Sequence, residues 1–189
     1  MKKIKVISTL LLFAAFSLPA AVSAQGPRAA RLSEKEIEDV REAAVFPVQR
    51  VALYTQFLEE RSRKIKDLTG RPKSGARVLK MDDTLQDFTA LMDEMASNLD
   101  QYSDRHSDIR KALKSLTEAT PRWMSILRAV PGEPGFDLSR KEAIESGDEL
   151  SEQVKRLLSE QDAYFLAHKE EKGQERNDDQ QAAPKPPSN

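Results

Sequence analysis

From residue 85 to residue 130 the apolar side chains recur in alternating steps of three and four: Leu85, Phe88, Met92, Met95, Leu99, Tyr102, His106, Ile109, Leu113, Leu116, Thr120, Trp123, Leu127 and Val130. Only His106 and Thr120 depart from apolar or aromatic character. That spacing places all of these positions on one stripe of an α-helix, the seam along which helices pack in bundles and coiled coils. A strand alternates with a period of two and cannot hold such a stripe. The seam therefore demands an all-α fold with helices on either side of it.

No glycine occurs between Lys80 and Val130, and Pro121 is the one proline in that interval. The seam thus reads as a single long helix bent near Pro121. The polar stretch 103–108 is the alternative point of interruption, and a break there gives a bundle of four helices instead of three.

The flanking segments supply partners for the seam. Ser33 and Glu36 have the spacing of a capping box, with Leu32 and Ile37 placed as a hydrophobic staple. Ile37, Ala44, Val51, Leu58 and Ile65 then recur every seven residues and predict a first helix to about Leu68, kinked rather than split at Pro47. Gly70, Pro72 and Gly75 mark a linker over 69–80, after which Asp82 or Asp83 caps the second helix. Pro131, Gly132, Pro134 and Gly135 form the next turn. Ser139 and Glu142 then read as a capping box for a last helix, which carries Leu150, Val154, Leu157, Gln161 and Tyr164 and ends near His168.

The expected architecture is an elongated antiparallel bundle of three long helices, the middle one longest. Its register puts His106 near Ala44 and Gln161, Leu113 opposite Ile37 and Val154, and Trp123 near Ile144.

The ends read differently. Residues 1–24 have a basic start (Lys2, Lys3, Lys5), an apolar stretch too short for a comfortable membrane span, and the small-residue ending Val22-Ser23-Ala24. This is the pattern of a cleaved secretory signal, and it predicts a periplasmic or extracellular protein with no transmembrane helix after cleavage. Residues 25–32 then form a flexible leader, 33–168 the helical domain, and 169–189, without apolar periodicity and closing on Pro184, Pro186 and Pro187, a disordered tail.

Among the 189 residues there is no cysteine, so packing rather than disulfides must stabilise the domain. The formal charge of −1 gives no general attraction for nucleic acid.

Candidate chemistry is sparse. His106 lies on the seam, but neither histidine is preceded three residues earlier by glutamate, as the di-iron bundles require; those positions hold Ser103 and Phe165. His106 with Gln161 reads as a polar core layer that sets register, while a ligand- or metal-carrying core site near His106 is the alternative. Gly70 to Gly75 has the glycine spacing of a phosphate loop, but Ala76 and Arg77 stand where lysine and a hydroxyl residue are needed. No residue is assigned to catalysis or metal binding, and no cofactor is expected.

The charge pattern carries more information. Arg61, Arg63, Lys64, Lys66, Arg71, Lys73, Arg77 and Lys80 form a basic run broken only by Asp67, and an acidic run begins at Asp82. Such a run either complements helix dipoles and pairs across the hairpin, or forms a patch for an anionic surface. The resulting expectation is an exported, non-enzymatic helical protein of structural or adaptor type, acting by contact with another protein or with an anionic envelope surface.

Overall fold

The computed structural model describes residues 32–173. The expected signal peptide, most of the leader and most of the tail lie outside these residues. Five helices build the domain: α1 (Glu34–Glu42), α2 (Pro47–Thr69), α3 (Gly75–Asp104), α4 (Arg110–Ala129) and α5 (Asp137–Ala167), followed by a 3-10 turn over Lys169–Glu171. The described residues contain no strand. The described residues are all-α, with five helices where three long ones were expected.

Each revision of the helix boundaries has a local cause. Pro47 splits the first helix instead of kinking it: α1 stops at Glu42, and Pro47 becomes the first residue of α2. At that position the missing N–H costs nothing and the fixed φ favours the helix. The Ser33–Glu36 capping box forms as the spacing requires. The staple does not, since Ile37 remains exposed while Leu32 packs on the core. Helix α3 starts at Gly75, well before Asp82, because the Ser74 hydroxyl accepts the Arg77 N–H at 3.2 Å and caps it. Ser139 caps nothing. It lies buried inside α5, donates to Asp82 Oδ1 at 2.5 Å and accepts from Gln86 Nε2 at 3.4 Å.

The largest revision concerns the seam. It breaks between α3 and α4, and the chain reverses there. Ser107 N–H bonds the Tyr102 carbonyl and His106 N–H bonds the Ser103 carbonyl, each at 2.9 Å, with His106 at a φ of 56°. This is a Schellman stop with histidine at the left-handed position where glycine is usual. Pro121, by contrast, sits inside α4. Pro121 and Thr117, whose carbonyl loses its partner, are both exposed, so the lost bond opens towards water.

Helix α2 packs against α3 and α4, and α5 packs against the same two, so these four helices close a ring; α1 rests on α2 alone. The pairings fix the directions. Across α2 and α3, Tyr54 meets Glu94 and Arg61 meets Asp87, an antiparallel register. Across α4 and α5, Arg110 meets Asp162 and Arg128 meets Asp148, again antiparallel but displaced along α5 by more than one turn from the expected alignment. Across α3 and α5, Ser139 meets Asp82, Ser146 meets Asp93 and Arg156 meets Asp100, a parallel register that the single-spine expectation did not contain. Ile37 consequently faces no residue of α4.

The seam residues fill the centre of the ring. Leu85, Phe88, Met95, Leu99, Ile109, Leu113, Leu116 and Leu127 are fully buried. Trp123 meets Phe88 edge to face at a centroid distance of 6.2 Å. Gly147 brings α5 close to α4: a Cβ there would stand 2.3 Å from Met124 Sδ.

Candidate functional site: the two ends of the bundle

The helix directions gather the α2–α3 turn, the α4–α5 turn and the starts of α3 and α5 at one end of the bundle. Glu133 ties them together. The Arg77 guanidinium bonds it at 2.5 Å and lies over the Phe136 ring at 5.7 Å, while Lys73 Nζ approaches it at 3.7 Å. A Cβ on Gly135 would stand 2.2 Å from Val78 Cγ1, so the α4–α5 turn lies directly on the first turn of α3.

The structure divides the eight cations of the basic run. Arg61 and Arg77 turn inward, with side chains 13% and 4% exposed. Arg61 pairs with Glu36 on α1 and at 3.1 Å with Asp87 on α3, so one guanidinium joins three helices. Burial alone would raise the carboxyl of Glu36, but bonds from Arg61 and Ser33 outweigh it and hold Glu36 down at about 2. Glu36 in turn heads the causes that push the Arg61 guanidinium above its ordinary value. These two arginines are structural.

The other six, Arg63, Lys64, Lys66, Arg71, Lys73 and Lys80, are exposed. Among the described residues Lys64, Lys66, Arg71 and Lys80 have no carboxylate within ion-pair distance. Several acids of the same end are already engaged: Glu133 with Arg77, Asp137 with Arg140 and Lys141, and Asp82 with Ser139. Asp67 and Glu142 are exposed, as is Asp83, which has an interaction of its own. This end therefore presents exposed positive charge on a chain whose overall charge is nearly zero. Leu79, in the second turn of α3, and Leu138, in the first turn of α5, are 69% and 70% exposed. The seam drew attention to neither, because both fall outside every apolar stripe.

The opposite end carries both histidines. Gln161 is buried, and its amide bonds the main chain of Ser107 and Ile109. His106 does not share that layer. Its left-handed backbone turns the residue to the surface, where its ring stacks on Tyr164 at 4.2 Å. His168 also stacks on Tyr164 at 4.2 Å, and its Nδ1 lies 2.9 Å from the Tyr164 carbonyl oxygen. The Tyr164 hydroxyl donates to Glu171, and the Gly173 N–H donates to Asp108 Oδ2, both within 3 Å. Residues 168–173 are thus tied to the α3–α4 turn, in the segment where the sequence pattern expected a disordered tail to begin.

A surface cleft of about 330 Å³ opens here, lined by Asp104, His106, Glu160 and Tyr164 among others. Among the described residues no group of three or more histidine or carboxylate side chains is placed to hold a metal ion.

Tyr54 bonds Glu94 between α2 and α3, and burial followed by that bond pushes the phenol up to about 12. No described helix is long and apolar enough to cross a membrane. Comparison of the chain with protein-family models, with curated proteins and with solved structures gives no match.

Proposed function

We propose that this is an exported, non-enzymatic protein that works by contact, with the basic end of its bundle as the contact surface for an anionic component of the cell envelope. One observation carries the reading. Four exposed cations, Lys64, Lys66, Arg71 and Lys80, lie on the α2–α3 hairpin with no carboxylate partner among the described residues, while Glu133 and Asp137 are engaged by other cations of the same end. Cations that served only to pair with neighbouring carboxylates would be matched more fully. An isolated patch of positive charge attracts polyanions over about a Debye length, ~8–10 Å at ordinary ionic strength.

The test is retention on an immobilised polyanion such as dextran sulfate. The wild-type chain should bind at low salt and elute progressively as salt rises. Reversing all four unpaired cations (K64E, K66E, R71E, K80E) should abolish retention without changing the helical circular dichroism, since none of the four contributes to the core. Failure of the wild type to bind even at low salt overturns the proposal.

A further inference from the structure

We infer that the anionic component is a lipid bilayer, and that Leu79 and Leu138 enter its headgroup–acyl boundary while the surrounding cations hold the headgroups. This rests on the contact reading above and names the surface.

Charge alone does not separate a bilayer from a soluble or wall polyanion, but the two leucines do. They are among the most exposed large apolar side chains of the domain, Leu138 in the first turn of α5 and Leu79 in the second turn of α3, two helices that start at the basic end. Val78 against Gly135 and Asp82 against Ser139 bring the opening turns of α3 alongside the start of α5. Neighbouring residues on each helix are buried: Arg77 and Met81 beside Leu79, Phe136 and Ser139 beside Leu138. The leucines are therefore projected by a packed scaffold rather than left on a loose loop.

An apolar side chain held in water is unfavourable, and a hydrated polymer offers it no burial. A bilayer interface accepts both an apolar tip and a ring of lysine and arginine, whose stems lie along the apolar boundary while their charges meet phosphate. Lys80 follows Leu79 directly, and Arg71 and Lys73 lie in the α2–α3 turn that precedes α3.

The experiment uses the chain from Gln25 onward, without the apolar N-terminal stretch, which would itself enter a bilayer. Co-sedimentation is measured with vesicles of neutral phosphatidylcholine and with vesicles containing about a third phosphatidylglycerol. Retention on dextran sulfate runs in parallel, and sedimentation velocity reports the oligomeric state.

The expected result is binding to the anionic vesicles alone, weakened by salt. Leu79→Ser and Leu138→Ser should each lower vesicle partitioning about tenfold, because each removes the burial of one leucine. The same substitutions should leave dextran sulfate retention unchanged. Vesicle binding that is indifferent to both leucines overturns the insertion while leaving an electrostatic contact protein intact. Retention on dextran sulfate with no vesicle binding also overturns the lipid assignment and leaves the contact reading standing. Binding to neither surface overturns both. A dimer at micromolar concentration that Leu79→Ser dissolves assigns the leucines to a second copy of the chain and overturns the inference.

Discussion

Gln161 on α5 closes the α3–α4 turn by bonding the main chain around Ile109: its Oε1 accepts the Ile109 N–H at 3.1 Å and its Nε2 donates to the Ser107 carbonyl at 2.9 Å. Ser107 and Ile109 are fully buried, so no water can replace the lost partner. The Ile109 N–H retains a short bond to the Ser107 carbonyl across the turn. Gln161→Leu keeps the volume and removes both amide contacts. It should cost about 1–3 kcal/mol and lower the melting temperature by several degrees. Gln161→Glu should be worse, because a carboxylate oxygen then faces the Ser107 carbonyl. Thermal denaturation of the two variants checks the order, and a Gln161→Leu variant as stable as wild type removes the capping role.

Acid should unfold the α1 contact first. Glu36 is held at about 2 against an ordinary value of 4.5, with 11% of its side chain exposed. A carboxyl depressed in the folded state contributes stability that is complete above the unfolded value. That stability is lost as pH falls through the folded value, which sets the window between about 4.5 and 2. The linked contribution is on the order of 3 kcal/mol. Wild type should lose stability as pH drops across this window, and Glu36→Gln should be less stable at neutral pH with a flatter acid limb. Chemical denaturation at a series of pH values reads both slopes; parallel curves would remove Glu36 as the source.

Gly147 is a packing residue despite its place inside a helix. Alanine would gain about 1 kcal/mol of helix propensity there, yet its Cβ would meet Met124 Sδ at 2.3 Å, with Met92 Sδ at 3.5 Å behind it. Overpacking a filled core costs about 1–3 kcal/mol. Gly147→Ala should therefore destabilise on balance, and the double variant with Met124→Ala should be less unstable than the sum of the two single changes. A double-mutant cycle by denaturant titration checks the coupling; strict additivity would place the Met124 side chain elsewhere.

His106 pairs a backbone requirement with a ring contact. Its φ of 56° favours glycine or asparagine and penalises β-branched residues. His106→Val should cost about 2 kcal/mol. His106→Gly should relieve up to about 1 kcal/mol of backbone cost, offset by loss of the Tyr164 stack. The stability order glycine at or above asparagine, with valine far below, tests the left-handed stop; equal stability for valine and glycine would contradict it.

The same residue explains why the seam misled. A reader of the sequence looks for glycine to stop a helix, and residues 81–129 hold none. Histidine took the left-handed position instead, with Gln161 supplying from α5 the support that the local sequence lacks. The three-four phase continues across the stop because Tyr102 and Ile109 both face the same core from either side of the turn. Pro47 misled in the same way: the apolar stripe kept its phase there as well, and the helix nevertheless split.

The candidate contact surface was half legible. The basic run stands out as a cluster in the sequence, but the inward turn of Arg61 and Arg77 depends on Glu36, Asp87 and Glu133 arriving from α1, α3 and the α4–α5 turn. Leu79 and Leu138 carry no sequence signal at all, because a single exposed apolar residue resembles any other until its neighbours in space are known.

What the sequence determined by itself is what local periodicity and local hydrogen bonding can determine. It established an all-α chain, a helix start at Ser33, a turn at 131–135, the end of the last helix near His168, and the identity of the apolar seam residues, though not of His106, as core. The tertiary structure alone decided that the seam reverses at the polar stretch instead of continuing, that α5 runs parallel to α3, which cations pair inward, and which leucines stand out at the basic end. The physical reason is that a stripe specifies which face of a helix is buried but not against what. Partner, direction and exposure follow from contacts between residues some 25 to 65 positions apart in the chain, as Arg61 with Asp87 and Asp108 with Gly173 illustrate.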